Sequence, residues 1–266
     1  MSPPVRRRQP AWALMLALVM AGGMAASAGD IPLAERRSGY QFMGPELRAI
    51  EDDDSANPGM LWVLDGAALW SRKEGAAGKS CADCHGDAHI SMTGVAAHYP
   101  AVDAAAVRPI NLAERINFCR AARQGASPLP FESQELLALT AYVARQSKGE
   151  PIAIAEDART RPFIAAGRAI FERRQGQLNL SCAQCHDDNW GKDLAGAVIP
   201  QAHPTGFPLY RLEWQSFGSL QRRLRNCLIG MRAEPYAYGA PEMTELELYL
   251  AWRARGLPIE APAVRP

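Results

Sequence analysis

Apolar residues recur at helical spacing in two stretches of this chain. Across Gln134 to Gln146, Leu136, Leu139, Tyr142 and Val143 fall on one face, with Ser133 placed to cap the helix and Gly149 to stop it. Across Glu242 to Arg255, Leu246, Tyr249, Leu250 and Arg253 share one side, with Pro241 before the helix and Gly256 after it. Two earlier stretches open on glycine and turn apolar: Gly66 through Leu69-Trp70, and Gly167 through Ile170-Phe171. Each glycine precedes a cysteine, Cys81 or Cys182, by the same fifteen residues. Downstream, Asn111-Leu112 through Cys119 aligns with Ser219-Leu220 through Cys227. The chain therefore reads twice as helix, cysteine motif, long loop, cysteine, final helix, which is an internal repeat. Lys148 to Pro162 carries Pro, Ala and charge without apolar periodicity and reads as a linker, with a boundary near residue 151. The pattern predicts a mainly α protein of two tandem units, 29–150 and 151–266, with slight β content.

The N-terminus has a different pattern. Arg6, Arg7 and Arg8 precede an apolar run from Ala11 to Met20, and Ala26-Ser27-Ala28 is a small-x-small cleavage pattern. Residues 1–28 read as a secretory signal peptide; the run is short for a membrane span and Gly22-Gly23 interrupt its end. No other stretch approaches spanning length, so no membrane span is expected in the mature form. Loss of three arginines takes the formal charge from +1 to −2. No basic run survives and the aromatics are not interleaved with Lys or Arg, which argues against a nucleic-acid partner.

Six cysteines carry the chemistry. Four form Cys81-Ala82-Asp83-Cys84-His85 and Cys182-Ala183-Gln184-Cys185-His186. Two thiols three positions apart on an incipient helical turn can each form a thioether to one porphyrin vinyl group, and the adjacent histidine then reaches the iron. A redox dithiol or a four-cysteine zinc site would not need histidine after the second cysteine in both copies. Two covalently bound c-type haems in an exported chain are expected, and the repeat suits two tandem cytochrome c domains. The opposite axial ligand stays open: His89, His98, Met92 or Cys119 in the first half, and His203, Met231, Met243 or Cys227 in the second. The repeat singles out Cys119 and Cys227 at equivalent places. A Cys119–Cys227 disulfide is the rival use of these two thiols in an oxidising compartment.

The run from Arg223 through Cys227, Met231-Arg232-Ala233-Glu234-Pro235-Tyr236 and Gly239 to the 245–250 helix resembles the C-terminal domain of the SoxA family. These are the larger subunits of the SoxAX sulfur-oxidising cytochromes of periplasmic thiosulfate metabolism. The resemblance extends over both halves from about residue 40. It implies His85 and Cys119 on the first iron, His186 and Cys227 on the second, and a persulfide form of Cys227 at the active site. It makes Met231 a packing residue. The implied reaction joins thiosulfate oxidatively to a cysteine of a carrier protein, SoxYZ, with electrons leaving through haem to a small cytochrome, SoxX. Arg223 and Arg232 are guanidinium forks suited to such an oxyanion, and their positive charge suits a thiolate neighbour. A plain dihaem electron carrier with methionine ligands, and a dihaem peroxidase, are the rival readings.

Overall fold

The computed structural model describes Met1 and residues 31–266; the expected signal segment, residues 1–28, lies outside the described residues apart from Met1. Ten α-helical segments and seven strands of two or three residues follow in order. In the first half α1 is Pro45–Asp52, α2 Met60–Ser71, α3 Ala82–His85, α4 Ala88–Ser91, α5 Leu112–Cys119 and α6 Gln134–Arg145. In the second half α7 is Arg161–Glu172, α8 Cys182–His186, α9 Leu220–Gly230 and α10 Pro241–Arg253. The strands are β1 Ala101–Asp103, β2 Arg108–Ile110, β3 Asp193–Leu194, β4 Ala197–Val198, β5 Leu209–Arg211, β6 Ser216–Gly218 and β7 Ala263–Arg265. The expected mainly α character holds.

The repeat has a physical basis at two helix crossings. α2 packs across α6, and α7 packs across α10. A Cβ on Gly66 would stand 2.2 Å from the Ala138 carbonyl oxygen, and one on Gly167 would stand 2.1 Å from that of Glu245. Only glycine lets these backbones meet. Between each crossing and its cysteine motif the chain turns tightly, with bridges Glu74–Lys79 and Gln175–Leu180 in equivalent positions. The two final helices form where their periodicity places them. Ser133 accepts a hydrogen bond from the Leu136 amide as the N-cap of α6, and Leu246, Tyr249, Leu250 and Arg253 are all buried on α10.

The halves share one apolar core, which runs from Val63 and Trp70 through Leu137 and Tyr142 to Phe171, Leu246 and Tyr249. The linker is part of it. Ile152 and Ile154 are buried, and the backbone of residues 149–152 pairs with that of 256–259. Periodicity could not reveal this, because two buried isoleucines among polar residues make no helical or strand pattern. The segment ahead of α2 also leaves its own half. The Arg37 amide donates to Gln201 Oε1, Asn57 Nδ2 donates to the Pro262 carbonyl, and Glu51 is ion-paired with Arg265. Trp62 stacks on Phe217 with ring centroids 5.0 Å apart. β5 pairs antiparallel with β6 and parallel with β7, which anchors the C-terminus beside α1.

Candidate functional site

Each unpaired cysteine is placed by a capped helix. Asn111 caps α5, accepting from the Glu114 amide while the Glu114 carboxylate accepts from the Asn111 amide. Ser219 caps α9, accepting from the Arg222 amide. The aligned Asn111 and Ser219 are thus the two N-caps, and each cysteine follows its cap by eight residues. Asn-x-x-Glu is a sequence-level start signal that could have fixed α5 in advance. After Cys119 the chain winds into a π-turn, Arg120–Gln124, whereas α9 runs on beyond Cys227 to Gly230.

Both cysteines stand beside their own C-x-x-C-H motif, and all six thiols are free. Burial raises the Cys81 thiol above its ordinary range, and the neighbouring Cys119 adds to that push against the opposing Arg120. Burial and then Cys227 push Cys182 up to about 12, and the same two causes raise Cys185. These thiols are held protonated until something removes the proton, as thioether formation does.

In the second half His186 and Cys227 line one cleft. Its walls also carry Arg223, Arg211, His203, Leu224 and Leu250. The His186 Nδ1 stands 2.6 Å from the Pro200 carbonyl oxygen, so it must be the protonated nitrogen, which leaves Nε2 free as a metal ligand. Burial lowers the His186 pKa, which keeps the ring neutral as a ligand must be. A cleft lined by a neutral histidine and a thiol, with Cys182 and Cys185 close enough to feel that thiol, fits a covalently attached haem. In the first half Trp70 packs 5.7 Å from the exposed His85 ring and its Nε1 donates to the Gly86 carbonyl. That places a flat apolar wall next to the first motif.

Among the candidate arginines of the second half, the structure separates Arg223 from the rest. Arg222 donates to Ser216 Oγ and the Phe217 carbonyl and lies 4.4 Å over the Trp214 ring. Arg225 donates to the Tyr236 carbonyl and covers the Tyr238 ring. Arg223 stands one turn before Cys227, on its helix face, and lines the cleft. Arg232 is exposed and does not line it. It takes a left-handed backbone (φ 56°), and its carbonyl accepts from the Gln177 amide in the turn that leads to α8. Around Cys119 the guanidinium groups are taken: Arg115 pairs with Asp103 at 2.5 Å, and Arg120 with Glu74 at 2.5 Å.

Of the other distal candidates in the second half, His203 reaches the cleft. Its Nδ1 lies 2.8 Å from the Arg37 carbonyl oxygen, and its buried Nε2 has no partner among the described residues. Met231 and Met243 are buried elsewhere.

A model of the SoxA/TsdA cytochrome c domain matches residues 65–152 and again 166–259, one copy on each half of the repeat. The L-cysteine S-thiosulfotransferase subunit SoxA of Pseudaminobacter salicylatoxidans is 43% identical over 88% of this chain and 82% of its own length. The chain belongs to the SoxA family. The SoxA subunit of Rhodovulum sulfidophilum is 38% identical over 87% of this chain and 80% of its own. The crystal structure of SoxXA from P. pantotrophus superposes with a TM-score of 0.83 at 33% identity, covering 87% of each chain. A cytochrome c domain carries c-type haem, which suits both motifs of this SoxA-family chain. Among its described residues no helix is long and apolar enough to cross a membrane.

Proposed function

We propose that this chain is a periplasmic dihaem SoxA subunit that conjugates thiosulfate to a cysteine of a SoxYZ-like carrier and works with a SoxX-like cytochrome. The observation that carries the reading is the shared helix face of Cys227 and Arg223, which lines one cleft together with His186. His85 with Cys119, and His186 with Cys227, would hold the two irons, and Cys81, Cys84, Cys182 and Cys185 the two porphyrins. When bound, the haem supplies an electron acceptor whose potential a thiolate donor lowers.

The chain's own residues then bind, orient and hold sulfur. Arg223 grips an oxyanion by charge-assisted hydrogen bonds. The Cys227 persulfide and the terminal sulfur of thiosulfate form an S–S bond as two electrons leave. The carrier thiol then displaces the persulfide from that sulfur, so the whole thiosulfonate group moves to the carrier and the persulfide is restored. Overall, one S–S bond forms between thiosulfate and the carrier cysteine, the thiol proton is released, and two electrons leave. Arg232 enters this scheme less directly: its exposed side chain suits a contact with the carrier rather than the small substrate.

Mass mapping of the isolated holoprotein should find Cys227 with at least one extra sulfur. Cyanide, which cleaves sulfane sulfur, should remove that mass and the activity together; an unmodified Cys227 in active protein contradicts the scheme. A second reading rests on His203. If its free Nε2 rather than Cys227 met the second iron, the chain would be a two-histidine electron carrier at that site. Magnetic resonance of the oxidised protein separates the two: the proposed ligation gives low-spin thiolate signatures at both haems, and a bis-histidine signature would favour the carrier.

A further inference from the structure

A second guanidinium reaches the Cys227 cleft from outside α9. Arg211 is the last residue of β5, and its side chain is only 14% exposed. Its Nε donates to Glu213 Oε2 at 2.7 Å, while its two terminal amino groups have no hydrogen-bond partner among the described residues. Glu213 faces outward, with 59% of its side chain exposed. Arg223, on the facing wall, makes no hydrogen bond or ion pair among the described residues. Burial and then the Arg223 charge lower the Arg211 pKa, while its partner Glu213 and, less strongly, Cys227 oppose them.

Two guanidinium groups that face one cleft, with a single carboxylate on its outer edge, leave an uncompensated positive charge beside a thiol. A half-buried like-charge pair is favoured when an anion sits between its members. The first half offers the comparison. There Arg115 pairs with Asp103 and Arg120 with Glu74, so these two guanidinium groups beside Cys119 are neutralised. On the Cys227 side Arg211 is paired through Nε alone, and Arg223 has no ion-pair partner among the described residues.

We propose that Arg211 and Arg223 together form a two-fork anion site that grips the sulfonate oxygens of thiosulfate and aims its terminal sulfur at Cys227, which makes Arg211 a specificity-determining residue. This rests on the sulfur-transfer reading of Cys227. A haem propionate has the same carboxylate-type oxygen chemistry, and the test separates it from the substrate.

Thiosulfate-dependent conjugation is measured with the haem-loaded protein, its partner cytochrome and a carrier thiol, beside a redox titration of the second haem. Loss of charge-assisted hydrogen bonds of this kind corresponds to about a ten- to hundredfold change in affinity. Arg211→Gln should raise the thiosulfate KM by about that factor with kcat little changed, and Arg211→Lys should recover part of it. Glu213→Gln should leave KM unchanged or lower it, because the competing carboxylate is gone. An unchanged KM in Arg211→Gln overturns the proposal; a displaced second-haem potential in that case assigns Arg211 to a propionate. Wild-type protein that consumes no thiosulfate would instead sink the reading of Cys227, and this proposal with it.

Discussion

At the scale of single residues, the chemistry-bearing positions differ in how far the sequence exposes them. The two C-x-x-C-H motifs are legible because spacing alone encodes their use, and Cys119 and Cys227 because the repeat aligns them. Arg211 was not legible. It lies in a three-residue strand sixteen positions before Cys227, and only the β5–β6–β7 sheet swings it into the cleft. Glu247 was hidden for the opposite reason, since a glutamate in an amphipathic helix ordinarily faces water. Here it is buried, accepting from Asn111 Nδ2 at 2.9 Å and Gln221 Nε2 at 3.2 Å. It thereby ties the cap of α5 to the first turn of α9. Burial raises its pKa from 4.5 to about 7. The folded state therefore holds this proton more tightly than the unfolded chain does. The resulting stability is fully present below pH 4.5 and is lost as pH rises through 7, by an amount on the order of 3 kcal/mol. Glu247→Gln should flatten that part of the stability–pH curve of the holoprotein. An unaltered slope between pH 5 and 7.5 in chemical unfolding would show that Glu247 is ionised when folded.

Among elements, the final helices and their caps follow from periodicity and local hydrogen bonding, and the structure finds them within two residues of the expected ends. The fifteen-residue spacing from glycine to cysteine was visible as a pattern before it had a cause. Its cause is the backbone contact of α2 with α6 and of α7 with α10. Replacing a helical glycine by alanine ordinarily stabilises a helix by about 0.5–1 kcal/mol. At these crossings the new methyl would meet a carbonyl oxygen at 2.1–2.2 Å, and overpacking of this kind costs about 1–3 kcal/mol or more. Gly167→Ala and Gly66→Ala should therefore each lower the Tm of the holoprotein. A raised Tm in either would mean that the crossing has room for a side chain. Short strands and the 148–162 connection stayed out of reach of periodicity, because two or three residues cannot establish a period.

Over the whole molecule, the two tandem units are joined more closely than a connection at 148–162 suggests. The chain ahead of α2 docks on the second half, the linker is buried, and one apolar core joins both units. These contacts arise between residues 50 to more than 200 positions apart, which local patterns do not encode. The arrangement also gives the two C-x-x-C-H motifs unequal surroundings. Arg115 and Arg120, both ion-paired, and a π-turn border Cys119, while a cleft lined by Arg223, which has no ion-pair partner among the described residues, borders Cys227. Nearly identical motifs thus sit in unlike surroundings, and the proposed function assigns the sulfur chemistry to the Cys227 side.

That inequality is tested most directly by replacing each cysteine and measuring thiosulfate-dependent conjugation to a carrier thiol, the two variants side by side. Cys227→Ala should abolish conjugation. Cys119→Ala should alter the spectrum of the first haem and leave conjugation measurable. Equal losses in the two variants, or full activity in Cys227→Ala, would contradict the assignment of Cys227 as the sulfur-holding residue.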